Sequence, residues 1–261
     1  MEQSIEIMKN RIKSILLNNK PSIYLHGSIV FEDFKLGWSD IDILCLTKTK
    51  TSKEQARQLV NLRQELSAEY ENNLYFRLFE GGFLSLEGFI NNISDTVVYW
   101  GTSGERITDK YDFDTFSMMG LIENGHLLYG NEIRDKLNYP TKEDIIKAVI
   151  NHYNTIRKYA AKTERNIYSA GWLLDIARCI YTLRTGKIIS KTKAGEWALN
   201  NNLIADTYIM EKVISIRKEP ERYKDNDETL KWLENLGEYV QKFADVLEKE
   251  ILEAKLKNSK I

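Results

Sequence analysis

The sequence predicts an α/β domain over residues 1–140, followed by an all-α helical bundle over residues 141–261. In the first part, short apolar runs with strand character alternate with segments of helical period. In the second part the period is helical almost throughout, with Pro220 as its only proline after residue 140. Because Pro140 interrupts the chain where the pattern changes, we expect the domain boundary at that residue.

The first elements follow from local patterns. Residues 2–19 carry a one-sided apolar stripe that predicts a helix, and residues 22–25 form a short apolar strand. A second strand is predicted over residues 40–46. Ser52 and Gln55 form a capping-box pattern for a helix that reaches about residue 70.

A third strand is predicted within residues 74–86, where aromatic strand formers are interrupted by Gly81 and Gly82. Asp112 or Asp114 can start a helix that runs to residue 123. Beyond the boundary, Thr141 opens another capping box, and we predict helices at 142–160, 166–185, 191–200, 206–218 and 227–256.

Two aspartates lie in the otherwise apolar second strand. Side chains alternate along a strand, so Asp40 and Asp42 project from the same face. An unpaired carboxylate beside an apolar sheet is unfavourable, and the pair therefore calls for a cation or a solvated cleft. Magnesium is the natural candidate, because it is usually held by one or two carboxylates together with substrate phosphates.

Gly27 and Ser28 close the first strand. Glycine lets a phosphate approach the backbone, and the serine hydroxyl adds a hydrogen-bonding group. The alternative is an ordinary turn, with the two aspartates acting as caps or ion-pair partners. The combination of Gly-Ser with paired aspartates in an apolar strand favours a phosphate site beside a metal site.

If a group is transferred from a phosphate to a hydroxyl at such a site, a further residue is needed to take the proton of that hydroxyl. Glu80, placed before the glycine pair, is the preferred general base, and Glu87 is its competitor. Trp100 is predicted in an exposed loop, where it could stack on a sugar or a base or could simply pack.

Composition narrows the range of partners. The chain has 43% apolar residues and a net charge of −1, without the basic field typical of proteins that bind nucleic acid. No apolar run approaches the roughly 20 residues of a membrane span. We therefore expect a cytoplasmic protein with no nucleic-acid or membrane partner, and we expect Cys45 and Cys179 to be buried without a disulfide.

Residues 21–48, which hold the Gly-Ser and Asp-Ile-Asp motifs, resemble the nucleotidyltransferase superfamily that includes DNA polymerase beta. Residues 111–130, YDFDTFSMMGLIENGHLLYG, and residues 185–199, TGKIISKTKAGEWAL, resemble the aminoglycoside adenylyltransferases that modify streptomycin and spectinomycin. The resemblance implies an α/β (α+β) nucleotidyltransferase domain with a mixed sheet, joined to an α-helical domain. It also implies that ATP and magnesium bind in the cleft between the two domains.

The same resemblance assigns roles to individual residues. Glu80 matches the catalytic base, Lys191 the lysine that reaches the phosphates, Asp114 a further acid of the ATP site, and Tyr223 a tyrosine that contacts the nucleotide. The residues that match the triphosphate and metal positions are Ser28, Ser39, Asp40 and Asp42.

The acceptor is less well defined. Spectinomycin and streptomycin are the leading candidate acceptors. However, the chain has Tyr168 to Gly171 where that family carries an Asp-Glu-Arg-Asn run. Trp100 and Arg106 compete for the position of a tryptophan that helps to hold streptomycin. A lincosamide, a protein or RNA acceptor, or a nucleotide-binding module without catalysis are the alternatives, and the oligomeric state is left open.

Overall fold

A computed structural model describes residues 1–258. The chain forms two compact units. The first comprises Met1–Glu32, Asp40–Phe113 and Gly120–Tyr139, and the second comprises Asp33–Ser39, Asp114–Met119 and the chain from Pro140 onward.

The first unit is built around a six-stranded mixed sheet in the order β5-β4-β3-β2-β1-β6. Its strands are β1 (Ser22–His26), β2 (Ile41–Thr47), β3 (Phe79–Ser85), β4 (Val97–Gly101), β5 (Gly104–Thr108) and β6 (His126–Tyr129). β2 and β3 run parallel, whereas the other neighbouring pairs are antiparallel. The helices are α1 (Glu2–Leu16), α2 (Lys53–Glu69) and α3 (Leu86–Asn91), and α4 (Thr115–Asn124) has residues in both units.

The core of this unit explains why the apolar strands form a sheet. Tyr24 of β1, Leu44 and Leu46 of β2, and Leu84 of β3 belong to one cluster of buried side chains. The predicted capping box of α2 is present, because Ser52 accepts from the Gln55 backbone and the Gln55 side chain accepts from the Ser52 backbone.

The glycine pair in β3 does not interrupt the strand. A Cβ on Gly81 would lie 1.7 Å from the carbonyl oxygen of Ile43, and a Cβ on Gly82 would lie 2.6 Å from the Tyr111 ring. Glycine therefore permits close packing inside the sheet. Residues 74–78 differ from the predicted strand and form a 3₁₀ helix.

The second unit is helical, as predicted. Its helices are α5 (Lys142–Tyr159), α6 (Gly171–Thr185), α7 (Lys191–Asn200), α8 (Thr207–Lys218), α9 (Pro220–Tyr223), α10 (Asp227–Glu234) and α11 (Gly237–Asn258). The last predicted helix is split in two, and the buried Gly237 accounts for the close packing there, because a Cβ on it would lie 2.3 Å from the carbonyl oxygen of Ala161.

The mixed sheet and the helical region confirm the predicted fold class. Cys45 and Cys179 are both buried and free, as predicted. Within residues 1–258, no helix combines the length and the apolar character that crossing a membrane requires.

Candidate active site

Three carboxylates share one region of the sheet. In the parallel register of β2 and β3, Asp42 lies beside Glu80, so the two side chains project from the same face. Asp40 directly precedes β2, and its negative charge acts on Glu80. The sequence predicted the two aspartates as a pair, and the register of the sheet adds Glu80 to them.

Asp40 and Glu80 repel each other in a partly buried setting. Burial raises the pKa of Asp40, and burial together with the charge of Asp40 raises the pKa of Glu80. The positive charge of Arg63 opposes both shifts. Arg63 is itself engaged elsewhere: its Nε donates to Glu105 Oε1 at 2.5 Å, and its Nη1 donates to the Phe79 carbonyl at 2.9 Å.

The donor set suits a magnesium ion that shares its coordination with a ligand. Asp40 and Asp42 offer hard carboxylate oxygens, and Mg²⁺ is commonly held by one or two carboxylates plus substrate phosphates. Within residues 1–258, no three His, Cys, Asp or Glu side chains are arranged as a metal site.

Gly27 lies directly against the carboxylate of Asp42. Gly27 has a φ of +66°, and a Cβ on it would lie 1.9 Å from Oδ2 of Asp42. Both the left-handed backbone and the approach of the carboxylate require glycine here. Ser28 follows in the 3₁₀ helix Gly27–Phe31, and its buried Oγ has no hydrogen-bond partner among the described residues. Such a hydroxyl suits a phosphate oxygen.

Segment 33–39, which connects the Gly-Ser motif to Asp40 in the chain, is fixed within the second unit. Asp33 accepts from Thr192 Oγ1 at 2.7 Å and from the Thr192 backbone at 3.3 Å, near the N-terminus of α7. Arg217 of α8 donates to the Asp33 carbonyl at 2.8 Å and to Ser39 Oγ at 3.1 Å. Ser39 Oγ also accepts from the Lys35 backbone at 3.0 Å.

Lys191, at the start of α7, belongs to a charged cluster inside the second unit. Its Nζ lies 3.1 Å from Asp175 Oδ2, and Arg178 Nη2 lies 3.1 Å from Asp175 Oδ1. Burial alone would raise the pKa of Asp175, but the charges of Lys191 and Arg178 outweigh burial and lower it. His152 lies close to the same charges, and burial lowers its pKa.

The two parts of the chain match two different family models. A family model described as "Nucleotidyltransferase domain" matches residues 5–83, and one described as "Aminoglycoside adenylyltransferase, C-terminal domain" matches residues 139–248. The chain therefore combines a nucleotidyltransferase domain with a C-terminal region similar to that of the aminoglycoside adenylyltransferases. This confirms the resemblance seen in the sequence.

Among solved structures, the spectinomycin adenyltransferase AAD(9) from Enterococcus faecialis, crystallised with ATP and spectinomycin, matches with a TM-score of 0.66. The match covers 95% of this chain and 99% of that chain at 17% sequence identity, which establishes a shared fold. No curated protein matches the chain by sequence.

Four other residues that the sequence singled out have defined places in the structure. Asp114 caps α4, because its Oδ1 accepts from the backbones of Phe116 and Ser117 at 2.8 and 3.0 Å. Tyr223 ends α9, and its hydroxyl lies 2.9 Å from Ser215 Oγ. Glu87 is exposed in the first turn of α3. Arg106 is exposed and lies over the Tyr99 ring at 4.1 Å.

The prediction that Trp100 lies in an exposed loop was wrong. Trp100 is a fully buried residue of β4, its Nε1 donates to the Leu59 carbonyl at 2.9 Å, and its ring packs 4.4 Å from that of Phe83. Strand pairing with β3 and β5 buries this stretch. A fully buried ring in this position packs within the sheet and is not accessible to a substrate.

The sequence analysis did not single out Asp175, Arg178 or Arg217, although all three make ion pairs in the structure. A signal for the first two was present, because both interrupt the apolar helix GWLLDIARCIYTLRT at a spacing that places them on one face. Arg217 carried no such signal, since its partner Asp33 is 184 residues away in the chain.

Proposed function

We propose that this protein transfers AMP from MgATP to a hydroxyl of an aminoglycoside-like antibiotic, with spectinomycin or streptomycin as the leading acceptors. The single observation that carries the proposal is the placement of Glu80 beside Asp42, with Gly27 directly against the same aspartate. A base, a metal-binding carboxylate and a phosphate-approach point are thus adjacent. The similarity of residues 139–248 to the C-terminal domain of aminoglycoside adenylyltransferases and the fold shared with AAD(9) support the choice of acceptor.

In the proposed reaction the acceptor oxygen attacks the α-phosphorus, the bond to the bridging oxygen breaks, and pyrophosphate leaves. Glu80 takes the proton of the acceptor hydroxyl, a role that suits a carboxylate whose pKa is raised by burial. Ser28 donates a hydrogen bond to a phosphate oxygen. Asp40 and Asp42 would hold magnesium, which when bound offsets negative charge on the phosphates.

The remaining nucleotide contacts are proposed from resemblance and from charge. Lys191 is proposed to bind phosphate, and Arg178 shares its carboxylate partner and adds a second positive charge. Ser39, Asp114 and Tyr223 stay predicted contacts of ATP.

The proposal is tested by incubating the protein with MgATP and single candidate acceptors while pyrophosphate release is measured. Spectinomycin, streptomycin and lincomycin are the informative acceptors. Release with either of the first two supports the proposal, and adenylylation of the drug is verified by mass. Release with lincomycin alone would move the acceptor to the lincosamides, whereas ATP binding without release on the panel would favour a nucleotide-binding module.

The base is tested by comparing Glu80→Gln with Glu87→Gln. Glutamine at residue 80 cannot accept the proton, and we expect a fall in kcat of about 10²–10⁴-fold. Glu87 is an exposed glutamate close in sequence, so its variant is the matched control and should keep wild-type activity. If only Glu87→Gln loses activity, the assignment of Glu80 is wrong.

A further inference from the structure

A cavity of about 490 Å³ lies within the second unit, among α5, α6 and α11. Its size falls within the range of about 300–1,000 Å³ that is usual for small-molecule sites. The buried part of its lining is mostly apolar and includes Ile145, Ile146 and Ala254. Such a surface favours a ligand with an apolar body.

One buried residue of the lining is polar. Thr182 of α6 is fully buried, and its Oγ1 has no hydrogen-bond partner among the described residues. Buried hydroxyls are normally hydrogen-bonded, so a ligand with a hydroxyl group would satisfy this one. The cavity therefore offers a polar contact at its buried side.

The rim of the cavity carries an excess of positive charge. Arg184 is paired with Glu250 through contacts of 2.5 and 3.0 Å, and the Lys257 ammonium lies 3.7 Å from Glu253. Lys142 has no ion-pair partner among residues 1–258 and is the first residue of α5, where the helix dipole adds to its positive potential. An anionic group would be attracted to this side.

We propose that this cavity binds a hydroxylated carboxylic acid with a compact apolar body, as found in phenolic acids. The carboxylate pairs with Lys142, the apolar body covers Ile145 and Ile146, and the hydroxyl bonds to Thr182. The residues that line the cavity include none of the carboxylates of the candidate site and none of the charged cluster around Lys191, and the inference does not depend on the proposed transfer reaction.

Binding of 4-hydroxycinnamate to the full chain, measured by ligand-observed NMR and calorimetry, tests the proposal. Cinnamate lacks the hydroxyl and should bind about fivefold more weakly, as expected for one hydrogen bond. Methyl 4-hydroxycinnamate lacks the charge and should bind about threefold more weakly, as expected for one exposed ion pair.

Two variants connect these preferences to their residues. Thr182→Val should abolish the preference for 4-hydroxycinnamate over cinnamate, and Lys142→Gln should abolish the preference for the acid over its ester. Lys147→Gln is the matched control, because Lys147 is an exposed lysine of the same helix that pairs with Glu143 and does not line the cavity. Ala254→Leu fills the cavity and should remove binding of every probe.

The outcomes separate clearly. Loss of each preference in its own variant, with normal circular dichroism, supports the site. The proposal is overturned if 4-hydroxycinnamate shows no saturable binding at millimolar concentration, or if binding survives Ala254→Leu. It is also overturned if both preferences persist in the variants, or if the cation tyramine binds more tightly than the acid.

Discussion

Replacing Arg217 with methionine is expected to destabilise the protein by about 3–5 kcal/mol, because it leaves the carboxylate of Asp33 buried without its cation. The side chains of Arg217 and Asp33 are only 3% and 6% exposed, so water cannot take over the lost interactions. Methionine retains much of the apolar volume, which limits the contribution of a cavity. The loss of the guanidinium also removes its hydrogen bonds to Ser39 and to the Asp33 carbonyl.

Urea unfolding, followed by circular dichroism and by tryptophan fluorescence, measures this loss. Arg222→Met is the matched control, since Arg222 pairs with Glu219 at 2.9 Å while the two side chains are 69% and 55% exposed. An exposed pair of this kind contributes at most about 1 kcal/mol.

A second comparison isolates the buried charge. The double variant Asp33→Asn with Arg217→Met should be more stable than Arg217→Met alone, because asparagine removes the uncompensated charge but can still accept from Thr192. If Arg217→Met costs no more than Arg222→Met, or if the double variant shows no recovery, the electrostatic explanation of this contact is refuted.

Three further perturbations address the candidate site. Gly27→Ala should lower kcat by at least tenfold with helical content unchanged, because its Cβ must displace Asp42; wild-type turnover would contradict this requirement for glycine. Glu80→Gln should raise the free energy of unfolding at neutral pH, because burial raises the Glu80 pKa. This gain, measured by urea unfolding, should disappear at acid pH, where residue 80 is uncharged in both proteins. Asp175→Asn should tighten ATP binding in calorimetry and increase its salt dependence, because it removes the charge that offsets Lys191; an unchanged Kd would show that Asp175 does not compete with phosphate.

The sequence predicted those features that depend only on residues close together in the chain. The Gly-Ser pair that follows β1, the strand that holds Asp42 and the capping box of α2 are all local features, and the structure contains each of them. The strand that contains Trp100 was missed because its burial depends on pairing with β3 and β5, which a single segment does not reveal. The same limit applies to β6, which pairs with β1 across about a hundred residues of chain.

The position of the segment between Ser28 and Asp40 depends on contacts with residues outside the motif. Hydrogen bonds to Arg217 and Thr192 hold residues 33–39. One of these bonds is made by Ser39, the residue directly before Asp40. A shift of this segment would also displace the backbone nitrogen of Asp40, because a planar peptide bond joins it to Ser39. A change at Arg217 is therefore expected to impair use of the Asp40 carboxylate even though Arg217 itself belongs to a buried structural contact.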